Sequence, residues 1–115
     1  TVLEIAAAIA DLTDRTRAGR ASLDELQGGS FTITSVGNIG GRFATPIINH
    51  PEVAILGINK MATRPMWDGS QFVPRKMMNI SASFDHRVID GWDAAVFVQR
   101  MKTLLETPAL IFVEA

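Results

Sequence analysis

The chain predicts an α/β (α+β) fold, a mixed sheet flanked by helices, with residues 1–115 as one domain. Three observations carry that expectation: helical apolar spacing at both ends, alternation in between, and glycine or proline at the breaks. Val2, Ile5, Ile9 and Leu12 recur at spacings of three and four and mark one face of a first helix. Arg15, Arg17 and Arg20 suit its C-terminal dipole, and Gly19 is placed to cap it. Ser22 to Glu25 matches a capping box and predicts a second short helix over Leu23 to Gln27, stopped by Gly28 and Gly29. A strand follows over roughly Ser30 to Val36, with Phe31 and Ile33 on one side and Thr32 and Thr34 on the other. A loop holding Gly37, Gly40, Gly41 and Pro46 leads to a buried strand near Val53 to Asn59. Trp67-Asp68-Gly69-Ser70 reads as a turn between extended segments. Met78 to Phe84 alternates and reads as a strand, and Trp92 to Glu106 reads as the last helix, ended by Pro108. Leu110 to Val113 is an apolar tail that needs a partner surface.

Composition narrows the function classes. Apolar residues make up 47 %, enough for a globular core and too many for disorder. The formal net charge is −1 with Lys and Arg spread along the chain, which argues against a nucleic-acid surface. No apolar run approaches a membrane span. There is no cysteine, which excludes disulfides, zinc-thiolate sites and a cysteine nucleophile. Two histidines and scattered carboxylates supply no metal site either.

The most informative run is Ser83-Phe84-Asp85-His86-Arg87-Val88-Ile89-Asp90-Gly91. It sets His86 on a strand-to-helix turn, where a neutral imidazole can take a proton near pH 7. The plainer reading is that Asp90 caps the helix and His86 fills space. A second segment, Phe31 to Gly41, is a strand entering a glycine-rich loop; without a following Lys-Ser/Thr it is no P-loop. Thr45-Pro46-Ile47-Ile48-Asn49 and Pro51 to Gly57 follow. In this order the segments resemble the catalytic domain of the dihydrolipoamide acyltransferases, the core subunits of 2-oxo acid dehydrogenase complexes, over essentially the whole chain. That domain is longer than this chain, so residues 1–115 are expected to correspond to its C-terminal part.

The resemblance implies the coenzyme A-dependent acyltransferase (chloramphenicol acetyltransferase-like) fold and acyl transfer between dihydrolipoamide and coenzyme A. Both are substrates, with the lipoyl group carried on a domain outside this stretch. His86 would deprotonate the thiol, and Thr34 aligns with the hydroxyl that stabilises the oxyanion. Ser35, on the opposite face, is the weaker candidate for that hydroxyl. Ser35, Asn59 and Met61 are assigned to coenzyme A binding; ordinary strand-end packing is the competing reading for Asn59 and Met61. The family also implies that Asp90 braces the site through a buried ion pair, for which Arg87 is the in-sequence candidate. Gly91 is expected to permit close packing or an unusual backbone angle, and His50 reads as a surface or interface residue.

The implied partners are further copies of the chain, as trimers building a larger core, together with lipoyl domains and the 2-oxo acid dehydrogenase and dihydrolipoamide dehydrogenase components. No nucleic acid or membrane partner is expected. Acetyl ranks first among acyl groups and branched-chain second, with succinyl behind. The compartment is bacterial cytoplasm or mitochondrial matrix. A different class stays open: a structural assembly fragment, inactive without its N-terminal half.

Overall fold

The computed structural model describes residues 1–113. They form two compact units, Thr1–Ser30 and the described residues from Phe31 onward. In the first, helix α1 (Val2–Arg17) opens with a Thr1–Glu4 capping box that the sequence reading did not single out. The helix stops at Ala18, and Gly19 follows at φ +70°, the left-handed C-terminal position glycine favours. Helix α2 (Leu23–Leu26) carries the expected Ser22–Glu25 box and is one residue shorter than predicted. Arg15 ties the two together, bonding Asp11 at 2.9 Å within α1 and Glu25 at 2.8 Å in α2.

The second unit is built on β2 (Ala54–Ile58), flanked by β1 (Thr32–Ser35) and β5 (Ile80–Phe84). β1 runs parallel to β2 and β5 antiparallel, so the sheet is mixed, as the sequence predicts. The segments either side of the Asp68-Gly69 turn, β3 (Ala62–Trp67) and β4 (Phe72–Met77), pair only with each other. Asp68 Oδ1 accepts the Ser70 and Gln71 amides at 2.9 and 2.8 Å, and Gly69 takes φ +106°. Pro65 stands opposite Pro74 in this hairpin, and neither can donate to an added strand.

Helix α3 (Gly91–Glu106) is followed by a short α4 (Ala109–Val113). The apolar tail Leu110 to Val113 is therefore helical, a conformation that the sequence reading left unassigned. Pro108 permits this because a residue at a helix start needs no N–H; its carbonyl accepts the Ile111 amide at 3.1 Å.

The core is β2. Ala54, Ile55 and Leu56 are only 4–5 % exposed, because both faces of the strand are covered. On one face Phe97 of α3 meets Phe31 and Phe84 edge-on, with ring centroids 6.1 and 6.3 Å apart. On the other, residues 42–46 run as a strap along β5. Asn79 donates to the Arg42 carbonyl (2.9 Å), Ser81 accepts from the Ala44 amide (3.2 Å), and Ser83 donates to the Pro46 carbonyl (2.6 Å). Gly57 faces the strap, where a Cβ would sit in ordinary contact, 3.6 Å from Pro46 Cγ. Large apolar side chains elsewhere stay open, among them Ile47 at 87 % and Trp92 at 77 % exposure.

Candidate active site

His86 lies where the sequence placed it, on the turn between β5 and α3, and its side chain is exposed. The strand ends at Asp85: its amide continues the register of the ladder by donating to the Val53 carbonyl (2.8 Å), while its own carbonyl turns away to accept the amides of Val88 (3.0 Å) and Ile89 (2.9 Å). The chain thus closes a single turn and restarts as α3. Gly91 opens that helix, and a Cβ there would come 3.9 Å from His86 Nε2. Its φ is not positive and 3.9 Å is an ordinary van der Waals distance, so neither of the expected reasons for glycine here, close packing or an unusual backbone angle, is found.

Asp90 is the N-cap of α3 and accepts the Asp93 amide at 2.8 Å, the plainer of its two sequence readings. The expected Asp90–Arg87 pair does not form within the chain. Arg87 bonds Asp85 instead, Nη2 to Oδ2 at 2.7 Å and Nε to Oδ1 at 3.0 Å, while Oδ1 also accepts the Arg87 amide at 3.0 Å. The physical reason is local: Asp85 and Arg87 flank His86 on one turn, and the helix start already occupies the Asp90 carboxylate. The Arg87 guanidinium and amide hold the Asp85 carboxyl down at about 2. Asp85 thus shapes the turn that carries the histidine, a part the sequence reading did not single out although it directly precedes His86.

Thr34 sits near the end of β1, in register with Gly57 and so level with Ser81 of β5. It shares the strap face of the sheet, half-buried, and its hydroxyl has no hydrogen-bond partner among the described residues. Ser35 points the other way, and its hydroxyl accepts the Gly37 amide at 3.2 Å, starting the 3₁₀ turn Gly37–Ile39. Asn59 is 9 % exposed, and its amide donates to the Asn79 carbonyl (3.0 Å) and to Ser81 Oγ (2.9 Å). That is the strand-end packing reading. Met61, 55 % exposed, lies just beyond β2.

The candidates therefore divide between two ends of one sheet. Thr34, Ser35, Asn59 and Met61 gather where β1 and β2 finish; His86 and Asp90 lie where β5 finishes, beside the start of β2. Five residues separate the level of Ser81 from His86, which at ~3.3 Å per residue is about 16 Å along the strands. A base and an oxyanion donor must both lie within about 3 Å of the reacting atoms, so the two ends of one chain cannot serve one carbonyl. No group of His, Asp or Glu side chains able to hold a metal occurs among the described residues. No described helix is long and apolar enough to cross a membrane.

The family model for 2-oxoacid dehydrogenases acyltransferase (catalytic domain) matches residues 1–113. The chain belongs to this family. It is 52 % identical over 109 residues to the lipoamide acyltransferase component of the branched-chain alpha-keto acid dehydrogenase complex of Pseudomonas aeruginosa, covering 95 % of the chain and 26 % of that protein. Among solved structures it matches the cubic core of the pyruvate dehydrogenase multienzyme complex at TM-score 0.91 and 46 % identity, over 97 % of this chain and 46 % of that one. It also matches Azotobacter vinelandii dihydrolipoamide acetyltransferase at TM-score 0.90 and 47 % identity, again over 97 % and 46 %. That enzyme was studied for the roles of a serine, a histidine and an asparagine in its catalytic mechanism. The chain thus spans about a quarter of the curated relative and under half of the solved chains. The structural likeness agrees with the expected fold class.

Proposed function

We propose that the protein transfers an acyl group between dihydrolipoamide and coenzyme A, as part of the core of a 2-oxo acid dehydrogenase complex. Residues 1–115 then form the C-terminal part of its catalytic domain. One observation carries the reading. Thr34, His86 and Asp90 stand at the same sequence separations as the serine, histidine and asparagine studied in the Azotobacter enzyme. Threonine keeps the hydroxyl, and aspartate caps a helix as well as asparagine does. The carry-over therefore changes neither the oxyanion donor nor the turn.

The chemistry follows from these groups. A thiol with pKa near ~8.5 is mostly protonated at neutral pH, so the His86 imidazole takes its proton as the sulfur attacks the thioester carbonyl. The Thr34 hydroxyl donates to the tetrahedral oxyanion. Collapse breaks the old carbon–sulfur bond, and the departing thiolate takes the proton back from the imidazolium. No acyl-enzyme forms.

Because the two groups lie at opposite ends of one sheet, one copy supplies His86 and its neighbour supplies Thr34. A closed ring of three copies, repeated into a larger core, meets that need without an open face. Lipoyl domains and the two dehydrogenase components are the remaining partners. Ser35 and Met61, beside Thr34, remain the proposed coenzyme A contacts, with Asn59 shaping that end from behind. The compartment proposed is the bacterial cytoplasm, the 52 % identical relative being bacterial.

Acetyl is the acyl group proposed. Branched-chain acyl is the second reading, favoured by the branched-chain complex in which that relative serves. Turnover of acetyl-coenzyme A against isobutyryl-coenzyme A separates them. For the core reading, His86→Ala in the full-length protein should abolish nearly all transfer. Thr34→Ala should lower kcat by about 10²-fold or more with KM little changed, and Thr34→Ser should be mild. A folded His86→Ala protein keeping over about a tenth of kcat would remove the base assignment.

A further inference from the structure

We propose that Asp85 is a positioning residue for the base: it fixes the turn that aims His86. The inference deepens the acyl-transfer reading and rests on His86 being its base. Within the described residues neither the His86 backbone amide nor its imidazole makes a hydrogen bond, so the ring inherits its place from the backbone on either side. The hydrogen bonds into that backbone converge on Asp85. Its amide anchors to the Val53 carbonyl at 2.8 Å, at the start of the buried strand β2. Its carbonyl accepts the Val88 and Ile89 amides, and its carboxylate spans His86 to bond both the amide and the guanidinium of Arg87.

Asp85 therefore clamps the residues before and after the histidine to each other and to the core. The clamp does not depend on the charge state of the base, because Arg87 keeps the carboxylate ionised well below the pH at which an imidazole works. Proton transfer is sensitive to placement, and a shift of about 1 Å can cost ~10²-fold.

The test uses the full-length protein assembled in its complex, with kcat and both KM values measured for Asp85→Ala, Asp85→Asn, Arg87→Ala and His86→Ala. Asp85→Ala should lose about 10²-fold in kcat with each KM within about twofold. Asp85→Asn should recover most of that loss, because its amide oxygen still accepts the Arg87 N–H. Arg87→Ala should fall between them. Asp85→Ala holding over about a third of wild-type kcat, Asp85→Asn failing as badly as alanine, or a loss confined to KM would each overturn the proposal. If Asp85→Ala does not assemble, wild-type kcat in Arg87→Ala overturns it. His86→Ala keeps the two ideas apart: an active His86→Ala protein defeats the base reading, whereas a dead one beside a fully active Asp85→Ala defeats only the positioning role.

Discussion

Mixing two inactive chains should create active sites. The perturbation is a pair of full-length proteins, one carrying His86→Ala and the other Thr34→Ala. In one chain His86 lies about 16 Å along the strands from the level of Thr34, while both groups must reach the same reacting centre. If each site draws its base from one copy and its hydroxyl from the next, random exchange at equal amounts gives both wild-type groups at about one interface in four of the closed ring. Activity near a quarter of wild type is therefore expected from two parents that are each nearly dead. A control runs the other way. A chain carrying both substitutions, mixed equally with wild type, should leave about a quarter of sites active if they are shared and about half if they are not. The assay is acyl transfer from acetyl-coenzyme A to dihydrolipoamide after subunit exchange, with mixing verified by mass. A mixture as inactive as its parents, together with half activity in the control, would refute the reasoning.

Gly91→Ala should leave thermal stability unchanged or slightly raised, alanine being the better helix former, yet lower kcat by about tenfold because the added methyl lies against His86 Nε2. Unchanged kcat in a folded variant would show that the thiol approaches from another side. A pH series isolates the Asp85 carboxylate. Its folded pKa is about 2 and the ordinary carboxylate value is near ~3.9, so its contribution to stability is present in full above pH ~4 and is lost as pH falls towards 2. Denaturation of wild type and Asp85→Asn should show a gap that is constant above pH ~4 and closes below it; a gap that widens in acid would contradict the pairing.

The parts legible in the sequence are those whose signals are local. The capping box at Ser22, the Asp68-Gly69 turn and the strand–turn–helix around His86 each rest on a few neighbouring residues, and each is found in place. The helical tail over residues 109–113 was not legible, because a short apolar run suits helix and extended chain equally. The strap was invisible for a different reason: it joins residues 37 positions apart through side chains, which no periodicity reports. Its only trace is the polar alternation of Asn79, Ser81 and Ser83. The expected partner of Asp90 failed because the sequence offers two carboxylates near Arg87, and only the folded turn shows which one faces it. The division of the candidate residues between two ends of the sheet needed the strand order and register, which are tertiary facts.

Strands in a sheet recognise each other through main-chain groups that every residue shares, so their pairing tolerates almost any sequence. The strap over β5 is fastened differently. Its three anchors are an amide and two hydroxyls at alternate positions, meeting the main chain at residues 42, 44 and 46. Sliding it by one residue would take the Arg42 and Pro46 carbonyls and the Ala44 amide out of reach of all three anchors, because Ile80, Ala82 and Phe84 between them point to the opposite face of the sheet. Alignment is thus encoded in side-chain identity, and β5 serves two readers at once: its main chain addresses β2, and its polar side chains address the strap. A substitution at residue 79, 81 or 83 could leave the sheet intact and still release the layer lying on it.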